Sequence, residues 1–200
     1  VAEGATIETV DATGAEDSAI ALDIDITQLD TDGSETMTIT LSDIPDGAVL
    51  RDGDGNEITI TDGAAEVTPQ QLEGLTITPP EDSNEDFSLT VTTVTTEEAS
   101  GETSTATATL DIDVTGVADE LDVTANDVSG GEDSAISLDI SSALGDTDGS
   151  ETLSVTISDI PEGAVLTDAN GNEITVTDGA ANIDPAQLAG LMMTPPTDFN

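Results

Sequence analysis

MTITLSDIPDG at residues 37–47 returns as LSVTISDIPEG at residues 153–163. In both copies apolar residues alternate with Thr or Ser: Met37, Ile39 and Leu41 in the first, Leu153, Val155 and Ile157 in the second. A period of two with β-branched residues and Thr belongs to a strand with one buried and one wet face. Each run then breaks at Ile44-Pro45-Asp46-Gly47 or Ile160-Pro161-Glu162-Gly163. Pro there supplies a fixed φ and Gly a free one, as a tight turn requires.

Working outward, the alternation recurs at Ile20, Leu22, Ile24 and Ile26, at Ile58 and Ile60, at Phe87, Leu89 and Val91, and at Leu110, Ile112 and Val114. It returns at Ile136, Leu138 and Ile140 and at Ile174 and Val176. Asp54-Gly55 and Asn170-Gly171 read as hairpin tips. A short helix is expected after Thr68 or Asp184 as N-cap, starting at Pro69 or Pro185 and closing at Gly74 or Gly190. Residues 92–108, rich in Thr, Glu and Ser around Gly101, read as an exposed hairpin loop. About seven short strands per unit predict an all-β fold, an antiparallel β-sandwich.

The echo is general. Val1 corresponds to Val117, and this offset of 116 residues runs without a gap to the end of the chain, with more than half of the overlapping positions identical. A fixed period marks an array of folded units. The expected division is 1–116 and 117–200, two tandem sandwiches. The second lacks counterparts of residues 87–94 and 108–114 and is expected to be an incomplete, truncated copy. The boundary reads Gly116-Val117-Ala118-Asp119 with no Gly/Ser or Pro linker, which predicts a stiff joint.

The composition narrows function. The 200 residues carry 44 Asp plus Glu against one basic residue, Arg51, with no His and no Cys, for a net charge of −43. Nucleic acid and anionic membrane surfaces are excluded as partners, because both require Lys or Arg. Disulfides, thiolate zinc and imidazole-bound metals are excluded too. Hard oxygen ligands remain, and these suit calcium or magnesium. High acidity can signal disorder, but 36% of the residues are hydrophobic and they alternate in order. With no His, Cys, Lys or Tyr the usual catalytic bases and nucleophiles are missing, so no enzyme is expected.

Asp30-Thr31-Asp32-Gly33-Ser34-Glu35 places carboxylates at i, i+2 and i+5 around a glycine, and every residue returns at Asp146, Asp148 and Glu151. Alternate oxygens on a bent loop can converge on one cation. An acidic solvated turn is the plainer alternative; full retention in the second copy favours calcium. Residues 51–56 (RDGDGN) and 167–172 (TDANGN) also look like calcium turns, but a hairpin tip explains both.

With these residues in hand, each unit resembles a cadherin-type, immunoglobulin-like repeat as found in the extender arrays of giant bacterial RTX adhesins, secreted by the type I pathway. The family's early Glu is matched by Glu16 and Glu132, its DxD by Asp30/Asp32 and Asp146/Asp148, and its acidic turn before a Phe-x-Leu-x-Val strand by Asp82. Asp119 falls in the linker, with Asp113 just before it. The linker GVADE departs from the family's Asn-rich form, and no basic residue accompanies Asp82. The resemblance implies calcium ions between successive repeats, held by Glu16, Asp82, Asp119, Asp146 and Asp148, with Asp113, Glu120 and Glu151 alongside. It implies a calcium-rigidified spacer on the bacterial cell surface that holds an adhesive tip away from the cell in adhesion and biofilm formation, its partners being neighbouring repeats of the same array. A glycan- or protein-binding module, or a filament subunit completed by a neighbour's strands, are the alternatives.

Overall fold

Residues that alternate become strands. In the computed structural model, which describes residues 2–30, 33–131, 133–145 and 149–197, the chain divides into two compact units, Val1–Val117 and Ala118–Asn200. The first contains β1 (Ala5–Val10), β2 (Ala12–Ala15), β3 (Ile20–Ala21), β4 (Asp23–Gln28), β5 (Glu35–Ser42), β6 (Val49–Arg51), β7 (Glu57–Ile58), β8 (Ala65–Val67), α1 (Pro69–Leu72), β9 (Thr76–Thr78), β10 (Phe87–Glu97) and β11 (Thr103–Thr115). One sheet has the order β2-β11-β10-β5-β8, another β3-β9-β6-β7, and β1 pairs with β4. Ile39, Leu41, Leu89, Val91, Leu110 and Ile112 from the five-stranded sheet join Leu50, Leu75 and Ile77 in one buried cluster. Burial of each such side chain stabilises by about 1.5–3 kcal/mol, against the ordering entropy of the chain. The unit is an all-β sandwich.

Three details depart from the sequence reading. The run from Ile20 to Ile26 is not one strand. Ile20 and Ala21 pair with β9, Asp23–Gln28 pairs with β1, and between them the Leu22 N–H donates to Leu75 O at 2.9 Å. The chain changes sheets at Leu22 without interrupting its alternation. Second, β2 pairs with β11 in parallel, from Ile112↔Ala12 to Thr115↔Ala15, so the larger sheet is mixed. Third, residues 92–108 are mostly strand. β10 and β11 pair through Thr96↔Thr103, leaving only a short loop. Thr93 and Thr95 point inward at 1% and 0% exposure, filling core positions with a polar residue type and so hiding the period of two.

Those two threonines differ. Thr95 Oγ1 donates to Glu3 O at 2.7 Å, whereas the Thr93 hydroxyl is buried with no partner among the described residues. A buried hydroxyl left unbonded costs about 1–3 kcal/mol, and an apolar group of the same shape removes that cost. Thr93→Val is therefore expected to stabilise the first unit by about 1 kcal/mol, read as a rise in thermal midpoint. A lower midpoint would mean the hydroxyl is bonded after all.

The predicted helix forms. Thr68 caps α1 in a capping box with Gln71, its side-chain oxygen accepting from the Gln71 N–H while the Gln71 side chain receives the Thr68 N–H at 2.9 Å. In the second unit Asp184 and Gln187 repeat the box on a 3₁₀ turn, Pro185–Gln187.

The second unit contains β12 (Asp122–Asn126), β13 (Ile136–Ser137), β14 (Asp139–Ala143), β15 (Val155–Ile157), β16 (Val165–Thr167), β17 (Glu173–Ile174), β18 (Ala181–Ile183) and β19 (Met192–Thr194). Its pairings are β12-β14, β13-β19-β16-β17 and β15-β18. Each has its counterpart 116 residues earlier in β1-β4, β3-β9-β6-β7 and β5-β8. Ile160, Leu166, Ile174, Ile183, Leu188 and Leu191 form its core. Val155 and Ile157 are half-buried, whereas their counterparts Ile39 and Leu41, on a strand flanked by β10 in the five-stranded sheet, are closed off. No helix among the described residues is long and apolar enough to cross a membrane.

Candidate metal centre

β2 delivers Glu16 to the place where β11 ends. The Glu16 N–H donates to Thr115 O at 3.1 Å, extending the parallel pairing by one bond, and Thr115 Oγ1 donates to Gly14 O at 3.0 Å. Gly14 is required there. A Cβ at that position would stand 2.6 Å from Ile20 Cγ1, so only glycine lets β2 lie this close to β3. Glu16 is 3% exposed. Its Oε1 accepts the Val117 N–H at 2.6 Å, while Oε2 is buried with no hydrogen-bond partner among the described residues. A buried carboxylate demands a charge partner, and this chain has no Lys or His to offer one.

The next residue turns sharply. Asp17 has φ 53°, and its Oδ1 accepts the Asp82 N–H at 3.1 Å. Asp82 itself has φ 53°. Asp tolerates this left-handed region better than most residues. Here it does so while placing one oxygen each of Asp17 and Asp82 within 4.8 Å. Two unit charges that close repel by about 1 kcal/mol in bulk water and roughly 3–4 kcal/mol at an effective dielectric near 20. Asp86 adds a third tie, its Oδ1 accepting the Val114 N–H at 2.8 Å. Glu16, Asp17 and Asp86 each commit one oxygen to a backbone amide, which fixes the carboxylates in place.

The structure places Glu16 and Asp82 at one end of the first unit, with Asp17 and Asp86, which the sequence did not single out as ligands, nearby. Asp113 is exposed on β11 opposite Thr13. Asp30 and Glu35 do not join this group. Glu35 pairs with Glu97 at the far end of β10 from Phe87, roughly 34 Å away at strand rise. Nor is Glu35 an open ligand. Its Oε1 accepts the Glu3 N–H at 2.7 Å and its Oε2 the Gln28 side-chain amide at 3.2 Å. Asp32, Glu132, Asp146 and Asp148 lie outside the described residues. In the second unit Asp133 repeats the left-handed turn of Asp17 at φ 57°. Asp119, exposed like Glu120, has its Cβ 3.6 Å from where a Cβ on Gly145 would lie, next to the residue that opens the second acidic turn. Glu151 is half-buried at the other end of that turn.

The other acidic loop is a hairpin tip, as its second copy suggests. Asp52 Oδ1 accepts the N–H groups of Asp54 and Asn56 at 3.0 and 2.8 Å, and both its oxygens meet the Asn56 side-chain amide. Asp168 Oδ1 likewise accepts the N–H groups of Asn170 and Asn172, and its Oδ2 accepts the Asn172 side-chain amide. Bonds from the Asn56 and Asn172 side-chain amides, then from their backbone N–H groups, hold both carboxyls below the usual carboxylate range. A depressed folded-state pKa contributes stability fully above the unfolded value, about 3.9, and loses it as pH falls through the folded value. The double variant D52N/D168N is therefore expected to be less stable than the parent at pH 7, with the gap closing below about pH 4. A gap that stays constant from neutral to acid pH would contradict this. Arg51 is occupied locally, 3.2 Å from Glu57 and from Gly55 O; such an exposed pair is worth little.

Each unit also carries an open groove at the Ile-Pro turn. In the first it is about 610 Å³ and is lined by Val49, Ile58 and Ile60 with Asp46, Glu57 and Asp62. In the second it is about 520 Å³, with Val165, Ile174, Val176, Glu162, Glu173 and Asp178 at the corresponding places.

No protein-family model matches the chain, and no curated protein matches it. Among solved structures it is similar to the titin domains Z1Z2 in complex with telethonin, at 11% identity and a TM-score of 0.33 over 98% of this chain and 83% of that one. It is also similar to murine CEACAM1b, at 13% identity and a TM-score of 0.27 over 97% and 85%. The sandwich stands on the strand pairings described above.

Proposed function

We propose that the chain is a calcium-rigidified structural spacer: tandem, cadherin-like sandwiches of a bacterial surface adhesin, stiffened where one repeat leads into the next. The observation that carries this reading is the Oε2 of Glu16, buried with no hydrogen-bond partner among the described residues on the residue that precedes the Asp17–Asp82 pair, in a protein whose one basic residue, Arg51, is engaged with Glu57. All-oxygen, multiply anionic donors suit a hard divalent cation, and calcium accepts irregular geometry and six to eight ligands where magnesium resists dehydration.

On this reading Glu16, Asp17 and Asp82 hold the ion from the first repeat. Asp119 follows Val117 by two residues, so its Cα lies no more than about 7 Å from the residue Glu16 holds. We take it as the linker ligand, with Asp146 and Asp148, named by the repeat pattern, as further ligands. Bound calcium supplies the positive charge that these carboxylates lack. The spacer would act outside the cell, where millimolar calcium fills sites of about 10⁻⁴–10⁻³ M affinity.

Calcium titration followed by thermal melting and small-angle scattering tests the proposal. Calcium should raise the melting temperature and narrow the spread of dimensions; an unchanged melt together with unchanged scattering would overturn it. The paired grooves favour a second reading, a module that binds a ligand twice per chain. Its mark would be saturable binding on a glycan array, lost when Ile60 and Val176 are both replaced by Asp.

A further inference from the structure

We propose that Glu16 is a latch on the outgoing chain as well as a ligand, so that ion occupancy and the path of residues 115–117 form one equilibrium; this rests on the calcium reading above. The argument starts from what holds the end of β11. Pairing with β10 reaches only to Ile112↔Phe87, and pairing with β2 ends at Thr115↔Ala15. From there the chain is held by acidic residues. Asp86 Oδ1 accepts the Val114 N–H at 2.8 Å, the Glu16 backbone N–H donates to Thr115 O at 3.1 Å, and Glu16 Oε1 accepts the Val117 N–H at 2.6 Å. Among the described residues the bond to Glu16 is the one tie found for Val117.

The two oxygens of Glu16 therefore have opposed needs. Oε1 keeps the outgoing chain in place only while the carboxylate stays buried. Oε2, buried without a donor among the described residues, makes that position costly unless a cation sits against it. Arg51 cannot serve, being engaged with Glu57 and Gly55. Without a cation the cheapest relief is for the side chain to turn to water, which breaks the bond to Val117 and frees the last residues of the unit. With a cation the side chain stays, and the exit stays fixed. Asp86 is a positioning residue in this scheme: it holds Val114, one bond upstream, and touches the ion in neither state.

The test measures amide exchange by NMR on the 200-residue chain, with calcium or with chelator, beside calorimetric calcium titration. Chelation should speed exchange of the Val117 amide about tenfold or more, while the amides of Leu89 and Leu110 in the core change less. Glu16→Gln keeps a carbonyl for Val117 but replaces the second oxygen with an amide that neither repels nor ligates. It should bind calcium about 10–100-fold more weakly and show slow Val117 exchange in both conditions. Calcium binding that leaves Val117 exchange unaltered in the parent, or a Gln variant with the parent's calcium-dependent exchange, overturns the latch and leaves the spacer reading standing. Absence of calcium binding in the calorimeter removes both.

Discussion

Chelating calcium is expected to lower the melting temperature of this chain by roughly 10–20 °C. The estimate follows from linkage: an ion present at about a hundred times its dissociation constant, and bound only by the folded state, stabilises by about 2.7 kcal/mol. For a unit of this size each kcal/mol moves the midpoint by about 4–8 °C. Two contributions must be separated, because a net charge of −43 would make any cation stabilising. Sodium chloride near 1 M shortens the screening length to about 3 Å and should recover the share owed to general self-repulsion. It should not recover the share owed to the buried Glu16 oxygen, which salt screens poorly. Magnesium should fall between the two. If high sodium chloride with chelator reproduces the calcium melt in full, the stabilisation is screening alone and there is no specific ion.

What could be read from residues, and what could not, follows from how each feature is encoded. The alternation at Met37–Leu41 and its echo at residues 153–157 is a property of side-chain hydrophobicity, so it announced β5 and β15 directly. The sheet switch at Leu22 left no trace, because a strand that changes partners keeps its in-out period. Thr93 and Thr95 hid the inner face of β10 because Thr serves both faces of a sheet. The site divides in the same way. Glu16 and Asp82 stood out by position in the repeat. Asp17 and Asp86 did not, since an acidic residue that accepts a distant backbone N–H looks like any other surface Asp. The one available signal was the doublet Glu16-Asp17 returning as Glu132-Asp133. Glu35 shows the opposite case: its spacing fits a ligand, and the structure adds what spacing does not carry, hydrogen bonds to its two oxygens from the Glu3 N–H and the Gln28 side-chain amide.

Leu110→Ala is expected to destabilise the first unit by about 2–5 kcal/mol, the range for truncating a fully buried leucine when the cavity cannot collapse. Leu110 is 0% exposed and stands opposite Leu89 on β11, an interior strand of the five-stranded sheet between β10 and β2. Its effect should reach the metal centre, because the same strand carries Val114 and Thr115 to the residues that grip them four and five positions on. Calcium and core packing then add in one free-energy balance. A single domain holds roughly 5–15 kcal/mol in total, so the variant with chelator, lacking about 2.7 kcal/mol of ion binding as well, stands near the limit of folding at 37 °C. With saturating calcium it should regain a cooperative transition. The readout is urea unfolding followed at the amides of Leu89 and Leu166, one in each core. Only the Leu89 curve should shift with the substitution, and it should be the curve that calcium restores. Equal shifts at both residues would mean that the two cores unfold as one, and no shift at Leu89 would mean that Leu110 carries no packing energy.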